Sequence, residues 1–317
     1  MTMRPLLTVC LGAMALAASA CAPSVATTAP PVGAAPVSGL DSDAPDSMRW
    51  LYASGEAAGV SIQTWRMLAD YAEKMARGPA PARSVMMGLA GEGSADPIGT
   101  ASCRRPDGSV KPLAVVFDVD ETVILNEGYE YFLATGHSYS RETWEAWERS
   151  GAAAVSPVPG AVTGLRRLRA AGVTPVFNTN RQYSPEGAAR AIAMAGLGEA
   201  VHRDTLFLRG DDGANSSGKD GRRALIAERY CVIALAGDNL GDFADVFNDD
   251  ARGIQARRTL AARGDFAQLW GQGWFAFPNP VYGDSIKGTI GEVFSENRRW
   301  TPGTPRSDAP AIMNEGQ

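Results

Sequence analysis

Between Asp46 and Arg77, apolar residues return at the spacing of one helical face: Met48, Leu51, Tyr52, Val60, Ile62, Trp65, Met67, Leu68, Tyr71 and Met75. This predicts helix across the segment, with Gly59 as the point where it bends or divides. From Gly78 to Pro112 glycine and proline are frequent and the chain reads as irregular. Short apolar runs then alternate with helical stretches. Leu113–Phe117, Val173–Phe177, Asp204–Leu208, Cys231–Ala236 and Trp274–Phe277 read as strands. Pro175 demotes the second of these toward a sheet edge or an irregular pairing. One helix opens at Ser184-Pro185-Glu186, a cap residue followed by proline in the first turn and an acid. The alternation predicts an α/β fold, a parallel Rossmann-like sheet covered by helices, with ligands at the carboxyl ends of the strands.

The first residues read as a processing segment rather than fold. Arg4, the apolar run Leu6–Ala17 and small residues to Ala20 form an export signal too short to span a membrane. Cys21 follows directly, so residues 1–20 resemble a bacterial lipoprotein signal, with Cys21 as the lipidated residue. Lipidation there implies an exported protein held on a membrane, the bacterial outer membrane, facing the periplasm or the cell surface. Residues 21–45, with five prolines after Cys21, are expected to form an extended tether. The globular part is expected over 46–300, with N-terminal helices over 46–77 and a cap segment at about 124–158, and 301–317 as a flexible tail.

Composition narrows the chemistry. The net charge of −5 argues against a nucleic-acid polymer as partner, since such proteins carry a basic footprint. Two histidines, His137 and His202, cannot supply a three-histidine zinc site, and no cysteine pair has finger spacing. Carboxylates are therefore the expected chemical actors. Of the four cysteines, Cys103 and Cys231 belong to the globular part; both precede predicted strands and can pair in an oxidising compartment. Whether they do is open at this level.

The acids that matter follow the first strand, in Asp118-Val119-Asp120-Glu121-Thr122. Alternation along extended chain turns Asp118 and Asp120 in similar directions, and two such carboxylates can divide the work of nucleophile and proton carrier. Three companions lie near the ends of later strands. Thr179 and Asn180 sit in Asn178-Thr179-Asn180-Arg181, where a hydroxyl and backbone amides can hold a phosphate oxygen. Lys219 starts a predicted helix, where its charge adds to the positive helix end. Asp238 and Asp242 lie in Gly237-Asp238-Asn239-Leu240-Gly241-Asp242, a pair suited to a hard, oxygen-seeking magnesium ion. Each has a bland reading as a cap, turn or solvated charge. Their joint appearance in this order does not.

Taken together these stretches resemble the haloacid dehalogenase superfamily and, within it, the class C acid phosphatases, a group of bacterial lipoprotein phosphatases and 5′-nucleotidases. Trp50 with Ser54-Gly55-Glu56, Trp144-Glu145-Ala146-Trp147, Pro159-Gly160-Ala161 and Pro278–Gly283 match as well. The resemblance implies that fold, with a small helical cap and N-terminal helices, and a magnesium-dependent hydrolysis of small phosphate monoesters. It makes Asp118 the nucleophile and Asp120 the proton donor, with Thr179, Asn180 and Lys219 on the phosphoryl group. Asp118, Asp238 and the backbone carbonyl of Asp120 would hold magnesium, with Asp242 as a further ligand or a supporting acid. The family commonly has Asp-Asn after the motif, whereas here Leu125 precedes Asn126.

Aromatic residues near the motif suggest what leaves with the phosphate. Tyr129 aligns with an aromatic of the family and is a candidate for stacking on a nucleobase. Trp144 and Trp147, three apart on one predicted helical face beginning near Ser140, are expected to pack in the core. Two other functions fit the same chain: a non-enzymatic surface lipoprotein binding a ligand or host component, and a phosphotransferase using the same site.

Overall fold

Leu113–Phe117 (β1) lies at the centre of a five-stranded, wholly parallel sheet. The computed structural model describes residues 42–88, 100–249 and 251–303. Across the sheet the order is Leu206–Phe207 (β5), Thr174–Asn178 (β4), β1, Cys231–Gly237 (β6) and Trp274–Ala276 (β7). Alternate β1 side chains feed opposite cores: Val115 and Phe117 one, Ala114 and Val116 the other. The first core is covered by Gly55–Arg77 (α2), Ala161–Ala170 (α5) and Pro185–Met194 (α6). Asp220–Arg229 (α7) and the chain carrying Phe247 and Phe266 cover the second. A buried run on both faces is what makes these strands nearly continuous in apolar character. The sequence-predicted lipoprotein signal, Cys21, most of the tether and most of the C-terminal tail lie outside the described residues.

Two local expectations change. The N-terminal helix divides at Ser54, not Gly59, giving Asp46–Ala53 (α1) and α2. Ser54 is extended and its Oγ accepts from the Ala57 N–H, so a cap restarts the helix there, while Gly59 sits inside α2. Pro175 lies in an interior strand, opposite Val115, rather than at the edge. The reason is local. Phe177 and Thr179 donate toward β5, so the N–H that Pro175 lacks would point the same way, before β5 begins. No ladder bond is lost.

Between β1 and α5 the chain leaves the sheet. Ile124–Leu125 (β2) and Ser156–Pro157 (β3) pair antiparallel as a stem. Glu127–Ala134 (α3) and Arg141–Ser150 (α4) lie between them, forming a small helical cap. Cys103 and Cys231 form a disulfide, both fully buried, that fastens the irregular segment before β1 to the start of β6. The bond links positions 128 residues apart. Replacing both cysteines with alanine is expected to lower unfolding free energy by about 2–5 kcal/mol in urea titrations.

Trp65 shows how closely α2 and α5 meet. It is 1% exposed and packs on Phe117 and Phe277. A Cβ on Gly164 of α5 would stand 2.3 Å from its ring. Gly164→Ala should therefore destabilise by about 1–3 kcal/mol through overpacking, against the usual helix gain of about 1 kcal/mol. Denaturant midpoints distinguish the two signs.

Candidate active site

The acids converge where the parallel strands end. Asp118 follows β1 directly, and its N–H bonds to Ala236 O of β6 at 2.9 Å, so strand pairing fixes its place. Asp238 follows β6, with Oδ1 accepting from Thr122 Oγ1 at 2.8 Å and Oδ2 from Asn279 Nδ2 at 2.8 Å. Asp242 closes a tight turn by accepting from the Asn239 N–H at 2.8 Å. A Cβ on Gly237 would clash with Asp242 at 2.3 Å, so only glycine lets the turn fold back on the strand. Carboxylate oxygens of Asp118, Asp238 and Asp242 lie within 4.8 Å of one another. Among the described residues this is the one such acidic cluster, and its oxygen-only donors fit a hard divalent cation.

Lys219 stands among them, at the cap position of α7. Its ammonium is 2.7 Å from Asp242 and also pairs with Asp118. Burial works against that charge, but the two carboxylates outweigh it and raise Lys219 above its ordinary value. Burial pushes Asp118 well up, and Asp242 and Asp238 add to this against the pull of Lys219. Burial and then Asp242 raise Asp238 to about 7. The cluster thus holds more negative charge than one lysine offsets, the condition a divalent ion would relieve.

Asp120 is held differently. Arg181, 2% exposed, grips it with Nη2 at 2.7 Å and Nε at 3.0 Å. Asn126 Nδ2 donates at 2.9 Å and Thr179 Oγ1 at 3.2 Å. Burial alone would raise its carboxyl; Arg181's charge and these hydrogen bonds prevail and hold it below the usual range. Thr179 is therefore at the site, giving its proton to Asp120 and accepting the Arg181 N–H. Asn180 faces the same cavity, with its side chain tied to Arg222 Nη2 at 2.6 Å and Ser217 O at 3.1 Å.

The cavity above these residues has a volume of about 580 Å³. Asp118, Asp120, Lys219, Asp238 and Asp242 line it from the sheet, and Tyr129, Glu130 and Trp144 line it from the cap. Tyr129 is 4% exposed, edge-on to Trp144 at 4.9 Å, and its hydroxyl meets Thr143 Oγ1 at 3.0 Å. Trp144 takes the Arg181 guanidinium on its ring at 5.7 Å. Trp147 packs inside the cap and donates to Asn126 Oδ1 at 3.1 Å.

Sequence reasoning passed over several of these residues. In the sequence Arg181 appears only as the last letter of a turn motif, and Asn126 only as the residue after the Leu125 departure. Glu121, a carboxyl raised to about 8 first by burial and next by Asp120, accepts from Tyr52, Tyr282 and the Asn126 N–H. No local signal marks Tyr52 or Tyr282 as its partners, since they stand 69 and 161 residues away.

Comparison with known proteins agrees with this geometry. A family model described as HAD superfamily, subfamily IIIB (Acid phosphatase) matches residues 96–285. Among solved structures, the class C acid phosphatase from Bacillus anthracis is similar at TM-score 0.57 and 21% identity, over 75% of this chain and 84% of that one. The same enzyme with tungstate bound gives TM-score 0.57 and 21% identity, over 78% and 91%. No curated protein matches. With a family match across most of the sheet and all the clustered acids, the chain belongs to the acid phosphatases of haloacid dehalogenase subfamily IIIB and is a phosphomonoesterase.

Proposed function

We propose that this phosphomonoesterase is magnesium-dependent, acts on small phosphate esters of the 5′-nucleotide class, and works through an aspartyl-phosphate on Asp118. The observation that carries the reading is Lys219, buried between Asp118 and Asp242 with Asp120 clamped beside them. A set built only to bind would not need a nucleophile, a separately held acid and a cation among buried carboxylates. Family membership sets aside the non-enzymatic alternative.

Asp118 Oδ attacks phosphorus and the bond to the leaving oxygen breaks, while Asp120 supplies the proton that oxygen needs. Asp120 then takes a proton from the water that attacks the phosphorus, and free phosphate departs with Asp118 restored. Lys219 neutralises the transferring group, Thr179 turns its hydroxyl to a phosphoryl oxygen, and Asn180 offers its main-chain N–H. Asp118, Asp238 and Asp242, with the Asp120 carbonyl, would hold magnesium, which supplies positive charge against the phosphoryl oxygens. Tyr129, buried beneath Trp144, supports the base through the aromatic wall it builds. The Cys103–Cys231 disulfide supports export to an oxidising compartment. Lipidation at Cys21, and an outer-membrane location, complete the proposal.

In Asp118→Asn, phosphate release from nucleotides and p-nitrophenyl phosphate should fall by several orders of magnitude; undiminished turnover refutes the nucleophile. EDTA should abolish activity and magnesium restore it; activity that survives EDTA, or a loss that magnesium does not reverse, refutes the metal assignment.

Arg181 makes a pH prediction. Asp120 must carry its proton to serve the leaving group, so the rate falls as pH rises through its depressed pKa. Arg181→Gln removes the charge that depresses it, raising that pKa and moving the descending limb of kcat to higher pH for alkyl phosphates. The same variant should forfeit part of the ~10²–10⁴-fold that acid–base catalysis contributes. A profile that keeps its limb in place counts against Asp120 as the acid.

A further inference from the structure

The carboxyls that line the catalytic cavity are engaged, with one exception. Asp118 and Asp242 meet Lys219, Asp120 meets Arg181, Asp238 meets Thr122 and Asn279, and Asp284 meets Lys287. Glu130 on α3 also lines the cavity and is 5% exposed, yet its Oε2 is shut off from solvent with no partner among the described residues. Tyr52, near enough to feel the charge of Glu130, gives its proton to Glu121 instead. Burial pushes Glu130 up to about 7. Buried carboxyls are costly unless hydrogen-bonded, and nearly all such atoms in folded proteins are satisfied. The carboxyl stands beside the cavity with no protein donor on it among the described residues, so a donor carried by the ligand is the partner within its reach.

The surroundings restrict what that ligand offers. The phosphoryl end is fixed over Asp118 and Lys219 at the sheet, so the cap wall faces the leaving group. Met48, Leu133, Tyr129 and Trp144 make much of that outer wall apolar or aromatic. Glu130 stands in the first turn of α3, where the helix end favours an acceptor with negative charge. We propose that Glu130 is a specificity-determining residue, accepting a hydrogen bond from a hydroxyl or amino group on the leaving group. This rests on the 5′-nucleotide reading, in which the donor belongs either to the sugar or to the base.

The test compares the parent enzyme with Glu130→Leu and Glu130→Gln. Substrates are adenosine 5′-monophosphate, its 2′,3′-dideoxy analogue, the analogue lacking the base amino group, and p-nitrophenyl phosphate. The ratio of kcat/KM for adenosine monophosphate to that for p-nitrophenyl phosphate should fall by about threefold to tenfold in Glu130→Leu, the scale of one hydrogen bond. Glu130→Gln keeps an acceptor and should recover most of the ratio. One of the two analogues should show no loss on going from parent to Glu130→Leu, which identifies the donor as sugar hydroxyl or base amine. An unchanged ratio in Glu130→Leu, no recovery in Glu130→Gln, or equal losses on both analogues overturns the proposal. A parent that cleaves p-nitrophenyl phosphate but not adenosine monophosphate refutes the nucleotide reading and takes this proposal with it. Failure on both substrates refutes the phosphatase assignment separately.

Discussion

Crowding four acids at one end of a sheet is an electrostatic problem, and the rest of the site depends on how two buried cations answer it. Lys219 lies between Asp118 and Asp242, and Arg181 grips Asp120 with two nitrogens. The two residue types are not interchangeable. An ammonium is a compact charge on a flexible stem, able to change partners when a phosphoryl group arrives, whereas a planar guanidinium fixes the orientation of the carboxylate it meets. Lysine thus stands among the clustered carboxylates on the cavity, and arginine holds Asp120 in one orientation. Buried ion pairs are weak evidence for stability, because desolvation offsets most of their attraction. Their concentration here fits chemistry better than folding.

Both strand tips are set by one turn of α7. Lys219, Arg222 and Arg223 are spaced i, i+3 and i+4, so they share a face. Arg222 reaches the tip of β4, donating to Thr179 O and Asn180 Oδ1. Arg223 reaches the turn after β6, with Nη1 on Gly241 O at 3.1 Å and Asp242 O at 2.7 Å. Asp245 returns the connection, accepting the Lys219 N–H at 2.7 Å and pairing with Arg223. A shift of α7 would therefore move the Thr179–Asn180 turn, the lysine and the Asp242 turn together.

The parts legible in the sequence are those whose signal is local. An apolar run followed by an acid marks β1 and Asp118; the same rule finds Asp238 after β6, and Ser184-Pro185 finds the start of α6. What stayed hidden depends on partners distant in the chain. Nothing local in the sequence singles out Arg222 and Arg223, yet both are fully buried, because backbone carbonyls from three loops receive them. Pro175 misled because its meaning depends on where β5 begins, which the strand itself does not encode. Ser54 won over Gly59 because a cap that satisfies an N–H ends a helix more firmly than a glycine tolerated within one.

The cap is joined to the chemistry at more than its stem. Glu148 of α4 is fully buried and accepts the N–H groups of Gln182, Tyr183 and Ser184, directly after the Thr179–Arg181 turn. Gly187 lets α6 approach so closely that a Cβ there would strike Glu148 O at 1.9 Å. Asn126 completes the link: it donates to Asp120, accepts from Arg181 at 2.8 Å and accepts from Trp147 of the cap. The cap wall of the cavity and the Asp120 carboxyl are thus parts of one hydrogen-bonded unit. A ligand seated against the cap would bear on the same network that sets the position and proton affinity of Asp120, so the cap cannot be altered without touching that carboxyl.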